Sequence, residues 1–284
     1  MAVALKKIIS ALNGADIKTR INETSEDIEI QGYNRYTGQP EMLANHIYVT
    51  NASSMADASL MAKYHFIVIE DQLQPETTLA NSPSKLIALS NDGDLAAVMT
   101  ILENLFAEQR RIGECSIKFL QACQKGYTIQ QLLDLGYQLL NNPLLLVDIS
   151  LCFIAHSGGN NIENEPLWEW TLSKGYVDKE YARSVMTDDS TNEKEDGEEV
   201  LVIWETGLLN HRQLVGRVLK NKRPLAYLKL LEYHHPITDC DEEILIMLCN
   251  VLAMNMEDAN AIVNASNSLS DTFLTALLNQ KMYD

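Results

Sequence analysis

The sequence predicts two domains, an α/β domain with a small parallel sheet followed by an α+β domain with a five-stranded antiparallel sheet and flanking helices. The length of 284 residues is about twice that of an average domain. Continuous apolar runs separated by helix-length segments occupy the first third of the chain, which is typical of strands covered on both faces. The second half contains apolar runs separated by short turns, which favours antiparallel pairing.

The first domain is expected to cover residues 1–110. Leu5, Ile8 and Leu12 share one face of a helix predicted over 3–13. A second helix is compatible with 52–63, and a long helical stretch from 94 to 120 is expected to connect the domains, with Gly113 as the candidate point of interruption. The predicted strands of this domain are 46–50, 65–70 and 85–89.

The second domain is expected to cover residues 111–266, and residues 267–284 are expected to form a helix that leads out of it. A helix from 128 to 140 begins with a Thr cap, and a long helix from 242 to about 263 follows the predicted cap Asp239. The five predicted strands are 144–148, 151–156, 200–204, 213–219 and 225–233, and two short helices at 166–174 and 178–186 lie between the second and third strands.

The composition excludes several classes of protein. The chain has 22 basic and 39 acidic residues, a net charge of −17, so most of its surface repels nucleic acid. No apolar run is long enough to span a bilayer, and no secretory signal precedes Lys6. Five scattered cysteines without a CxxC pair indicate reduced thiols in apolar cores. We therefore expect a cytoplasmic protein that does not associate with membranes.

The sequence contains none of the local motifs that place a catalytic serine, a zinc ion or a nucleotide phosphate. We accordingly expect no catalytic residues, no metal and no cofactor. Gly158-Gly159 lacks the third glycine of a phosphate loop. His234 and His235, with Asp239 and Cys240, offer metal-binding side chains, but consecutive histidines point to opposite sides of an extended segment.

Three tryptophans lie between residues 160 and 205, close in sequence to Tyr176, Tyr181 and His211. Such a cluster beside a sheet is able to line a small-molecule pocket, although ordinary core packing explains aromatic residues more often. Trp168 and Trp170 are two residues apart, so on a helix only one of them can face the core.

Residues 139–159 resemble the start of the GAF-like sensor domain in bacterial transcriptional regulators of the PucR/CdaR type. The similar features are Asn-Pro, an apolar strand, Asp, a turn, a second strand and Ser-Gly. Leu167-Trp168 and Gly175-Tyr176-Val177 resemble the helix that follows, and 268–280 resembles the helix that leads out of the domain. The resemblance covers residues 112–284, and residues 1–110 match the α/β N-terminal sensor of the family only loosely.

The resemblance implies the effector-sensing and dimerising region of a transcriptional regulator. Such regulators continue into a helix-turn-helix domain, which would begin where this chain stops at Asp284, so DNA is expected to be bound only through a domain absent from this chain. An unidentified small-molecule effector would lie between the sheet and the helices of 166–186, and the stripes 98–120 and 244–262 would form a homodimer. The candidate lining residues are His156, Trp168, Tyr176, Trp204 and His211.

The alternative is a small-metabolite enzyme with a catalytic N-terminal domain and a regulatory GAF-like domain. His46 and Asp71 lie at predicted strand ends, where parallel sheets bind ligands. No spacing in residues 1–110 combines a nucleophile, a base and an orienting group, so we do not expect an enzyme.

Overall fold

A computed structural model describes most of both halves of the chain. The described residues are 2–15, 17, 19–21, 28–54, 60, 63–69, 86–89, 94–159, 162–187, 201–204 and 210–256. The predicted exit helix 267–284 and most of the predicted helix 52–63 lie outside them, although Ala52–Ser54 form a short 3-10 turn. The chain divides into two compact units, Met1–Gly113 and Glu114–Asp284. Each unit is described by itself.

The first unit contains a mixed five-stranded sheet. The three strands that the sequence predicts occur as β5 (His46–Asn51), β6 (His65–Ile69) and β7 (Leu86–Leu89). A further strand, β4 (Gly32–Arg35), pairs in parallel with β5, which pairs in parallel with β6, and β6 pairs in parallel with β7. An additional strand, β2 (Thr19–Ile21), pairs antiparallel with β7 at one edge, so the sheet is mixed, whereas the sequence predicts a parallel one. The elements are β1 Val3–Ala4, α1 Leu5–Gly14, β2 Thr19–Ile21, β3 Glu29–Ile30, β4 Gly32–Arg35, β5 His46–Asn51, β6 His65–Ile69 and β7 Leu86–Leu89, and the sheet order is β2-β7-β6-β5-β4.

Apolar side chains cover both faces of this sheet. On one face Val49 and Ile67 pack with Ile8 of α1 and with Leu102 of the following helix. On the other face a smaller cluster includes Phe66, packed against Tyr36 and Tyr48. The strands are buried on both sides, which explains why they read as continuous apolar runs.

The helix α2, Leu95–Gln124, is continuous through Gly113. The predicted interruption there was wrong. A helical glycine costs about 1 kcal/mol relative to alanine, which is too little to break a helix whose neighbouring side chains, Ile112 and Cys115, are buried.

In its described residues, the second unit contains the antiparallel sheet and four further helices. The elements are α3 Ile129–Leu140, β8 Leu144–Asp148, β9 Phe153–Ser157, α4 Pro166–Lys174, α5 Lys179–Thr187, β10 Leu201–Trp204, β11 Gln213–Lys220, β12 Arg223–Leu231 and α6, residues 239–256. The strand order is β9-β8-β12-β11-β10, with every neighbouring pair antiparallel. All five predicted strands are therefore present, each within a few residues of its expected position.

The turns and caps follow local sequence signals. Thr128 caps α3 in a reciprocal capping box with Gln131. The helix α4 ends at Gly175, whose φ of 78° suits glycine. The helix α6 begins after Thr238 and not after the predicted cap Asp239, because the Thr238 hydroxyl accepts from the backbone of Asp241 while the Asp241 carboxylate accepts from the backbone of Thr238. The part of this helix predicted beyond residue 256 lies outside the described residues.

Helices cover both faces of the antiparallel sheet. Leu145 of β8 packs with Trp168 of α4 and Tyr181 of α5 on one face. On the opposite face a Cβ added to Gly136 of α3 would come within 2.9 Å of a Leu144 methyl group and within 2.5 Å of Leu248 of α6, so these elements are in close contact. No helix in the described ranges is both long and apolar enough to cross a bilayer.

Candidate ligand-binding site

The sheet face beneath α4 and α5 carries polar side chains at positions where a simple core would be apolar. Strand pairing aligns His156 of β9, Leu145 of β8, Lys229 of β12 and Val215 of β11 in one row across the sheet. Directly paired residues point to the same face of a sheet. The row therefore places a lysine at the centre of a buried face and a histidine on the other side of Leu145.

Lys229 is only 3% exposed. Its Nζ atom lies 4.5 Å from the centroid of the Tyr181 ring, a cation–π contact that favours the ammonium form. Burial acts in the opposite direction and lowers the pKa of Lys229 to about 7, because an apolar environment disfavours the charged form. Near neutral pH this amine therefore changes its charge readily.

Tyr181 connects the helix side of the site to the sheet. Its hydroxyl donates to Oε1 of Gln213, which is buried on β11, at 2.9 Å. Burial first, and then the negative charge of Glu165, raises the pKa of Tyr181. Tyr181 therefore keeps its proton and remains a hydrogen-bond donor throughout the physiological range.

Glu165, the residue before α4, is 1% exposed. Its Oε1 atom accepts from the backbone N–H of His211 at 2.6 Å and lies 2.7 Å from Nδ1 of the same residue. This carboxylate does not cap α4, although it occupies the capping position. Together Glu165, Tyr181, Gln213 and Lys229, with the partly exposed His211 at their edge, form what we call the buried polar cluster.

The structure brings two of the predicted lining residues to this region. His211 belongs to the buried polar cluster, and Trp168 is 2% exposed in the apolar core beside it, where its indole Nε1–H donates to the carbonyl of Gly159 at 3.3 Å. Trp170 is 37% exposed, so only one of the two tryptophans faces the core, as the helical spacing predicts.

The other three predicted lining residues have different positions. His156 lies on the same sheet face, beside the ring of Phe153, and its Nδ1 atom is buried without a hydrogen-bond partner among the described residues. Tyr176 is 42% exposed and contacts Trp170 edge to face, so it lies away from the buried polar cluster. Trp204 pairs with Gln213 through its backbone, and its side chain lies outside the described part of the chain.

Sequence reasoning missed Glu165, Gln213 and Lys229. Lys229 did leave a signal, because it stands between Leu228 and Leu230 in a strand with apolar residues on both faces. In a strand with apolar residues on both faces, a lysine has no solvated face to occupy. Glu165 precedes a proline in a polar segment, and nothing in that pattern indicates burial.

The glycine pair and the histidine pair serve the fold. A Cβ on Gly159 would lie 2.6 Å from the Trp168 ring, so this glycine permits the indole to pack closely. Both ring nitrogens of His235 lie 2.8 Å from backbone carbonyls, one of Leu140 and one of Pro236. In the part of the chain that the structure describes, no group of three His, Cys, Asp or Glu side chains is placed to hold a metal ion.

The first unit does not place His46 where a parallel sheet binds ligands. His46 begins β5, next to Gly32 at the start of β4, and such sheets bind ligands at the carboxyl ends of their strands. Its Nδ1 atom lies 3.0 Å from the Asn34 amide. Asp71, the other residue of the enzyme hypothesis, lies outside the described residues.

Comparison with known proteins gives a limited result. No family model matches the chain, and no curated protein matches it. Among solved structures, the GAF domain of an Acinetobacter phosphoenolpyruvate-protein phosphotransferase is similar at 11% identity and a TM-score of 0.35, over 54% of this chain and 97% of that one. The cofactor-binding GAF domain of the nutrient sensor CodY from Clostridium difficile is similar at 12% identity and a TM-score of 0.30, over 49% and 96%. Both TM-scores are below 0.5, so the fold of this unit is defined by its own strand order and register and not by these similarities.

Proposed function

We propose that the second unit is a GAF-like effector-sensing domain and that its small-molecule effector binds on the sheet face beneath α4 and α5. The observation that carries this proposal is the buried polar cluster. Burying a lysine and a glutamate costs several kcal/mol unless each is well paired, and apolar residues of similar volume are often more stable. Polar groups converging beneath a helical cover are typical of ligand sites, where they fix the orientation of the ligand.

In the wider proposal, this chain is the sensing and dimerising region of a cytoplasmic bacterial transcriptional regulator, with DNA bound by a domain beyond these residues. The distribution of charge supports the assignment of DNA binding to another domain. Residues 1–110 carry 8 basic and 14 acidic side chains, and residues 111–284 carry 14 basic and 25 acidic side chains. Neither half offers the basic surface that DNA binding requires.

The arrangement of the helices suggests how the signal leaves the site. The effector would bind on one face of the sheet, and α6 packs on the other, with Leu245 and Cys249 close to Gly216 of β11. An effector that favours one packing of α6 over another would shift the population of the two arrangements. Exposed Ile117 and Leu120 on α2 give the homodimer an apolar surface.

A thermal-shift screen of the full chain against purines, sugar acids and amino acids tests the proposal, because a ligand that binds only the folded protein raises its melting temperature. Lys229→Met should remove the shift given by a true effector, whereas Lys118→Met, at an exposed lysine of α2, should retain it. An equal shift in both variants would place the ligand elsewhere. A protein that is monomeric at micromolar concentration in sedimentation would contradict the dimeric regulator.

A further inference from the structure

One oxygen atom of Glu165 is buried without a partner. The carboxylate uses Oε1 for both of its bonds to His211, and Oε2 has no hydrogen-bond partner within the described ranges. Most buried polar atoms are paired, so an unpaired carboxylate oxygen requires an explanation. An acceptor that the fold leaves open on the inner face of a ligand site is a natural contact for the ligand itself.

The position of this oxygen is fixed by contacts on both sides. Pro166 follows Glu165 directly and restricts the backbone at the start of α4. The segment that carries His211 is held a second time, because the Asn210 amide donates to the carbonyl of Asn164. Two adjacent hydrogen bonds, from His211 to Glu165 and from Asn210 to Asn164, hold the carboxylate in one orientation. A fixed orientation lowers the entropy that is lost when a ligand binds.

We propose that the effector carries a protonated amine that binds Oε2 of Glu165. This inference deepens the proposed function and depends on it. Because Oε1 already accepts from His211, Oε2 is the carboxylate oxygen left for the ligand, which suits one N–H of an ammonium group better than the bidentate fork of a guanidinium, which uses both oxygens.

Charge favours a cation over a neutral donor. Oε1 accepts the backbone N–H of His211 at 2.6 Å, so the carboxyl group offers Oε2 as its remaining acceptor. A hydrogen bond between an ammonium and a carboxylate is about twice as strong as one between neutral groups, and it gains further strength where water is excluded. A divalent cation would need additional oxygen ligands around the same atom.

The test uses three four-carbon probes of similar size with different polar heads, which are n-butylammonium chloride, 1-butanol and sodium butyrate at matched ionic strength. The melting temperature of the full wild-type chain should rise by about 3 °C at a butylammonium concentration about ten times its dissociation constant. It should change much less with butanol or butyrate at the same concentration. This comparison needs no variant, so it decides the question even if a substitution at Glu165 prevents folding.

Glu165→Gln should reverse the preference of the protein between the charged probes, which a purely structural role of Glu165 would not do. The glutamine retains Oε1 for His211 but presents a donor N–H in place of Oε2, so butyrate should now stabilise the protein more than butylammonium does. Glu169→Gln, at an exposed position in the first turn of the same helix, should behave as the wild type.

Each outcome has a defined meaning. Stabilisation by butyrate or butanol without stabilisation by butylammonium overturns the amine assignment and leaves the proposed effector site intact. If none of the three probes stabilises the protein, the amine assignment is also overturned. The metabolite screen tests the effector site separately. An equal response to butylammonium in wild type and Glu165→Gln places the amine away from Glu165 and rejects the inference.

Discussion

Replacement of Lys229 by methionine should stabilise the protein, and the gain should depend on pH. Burial lowers the pKa of Lys229 from 10.5 to about 7, so between these values the unfolded chain binds more protons than the folded protein. Stability therefore rises with pH across this interval. At 1.36 kcal/mol per pKa unit, the shift from 10.5 to about 7 corresponds to a cost of about 5 kcal/mol for the charged amine in the folded state.

The pKa shift of Lys229 also determines how much the free energy of unfolding changes with pH. Between pH 7 and pH 9 the wild type should gain about 2 kcal/mol relative to Lys229→Met, which has no group that titrates at this position. Tyr181 does not contribute, because its pKa is raised and its hydroxyl stays protonated over this range. Lys118→Met, at an exposed lysine, should follow the wild-type curve.

Urea denaturation monitored by tryptophan fluorescence provides the assay, since all three tryptophans belong to the second unit. The free energy of unfolding is compared at several pH values and constant ionic strength. Parallel curves for the wild type and Lys229→Met would show that Lys229 is not desolvated in the folded protein. That result would refute the description of the site.

Two further predictions concern packing and thiol reactivity. Gly136→Ala should lower stability by about 1–3 kcal/mol, because its Cβ would lie 2.5 Å from a Leu248 methyl group; thermal denaturation should show no such loss for Gly14→Ala, where the added atom meets nothing. Cys152 is exposed, so a thiol titration of the native protein should have a fast phase that Cys152→Ser removes. Cys249 should react only after unfolding, because burial shields it and raises the pKa of its thiol to about 12; fast labelling of this residue would contradict its position.

Strands with strong apolar patterns could be predicted, whereas the two edge strands of the first sheet, β2 and β4, could not. Residues 46–50 and 65–70 are predicted almost correctly because both faces of β5 and β6 are covered. The strand β4, with sequence Gly-Tyr-Asn-Arg, lies at the edge of the sheet and is largely exposed. Its pairing depends on backbone hydrogen bonds, which leave no hydrophobic pattern in the sequence.

The candidate site could be located but not described in detail from the sequence. The aromatic cluster and the position of α4 pointed to the sheet face that carries the buried polar cluster. The polar contacts within it join residues that are distant in sequence, such as Glu165 with His211 and Tyr181 with Gln213. A residue pattern shows local periodicity and cannot show which distant side chains meet.

An NMR titration of the indole N–H signals shows whether a ligand binds on the sheet face beneath α4. Trp168 is buried on that face, whereas Trp170 lies two residues away and is exposed. A ligand found in the metabolite screen, or butylammonium, should shift the Trp168 signal and leave the Trp170 signal unchanged. A shift confined to Trp170, or stabilisation of the protein with no change at Trp168, would contradict the claim.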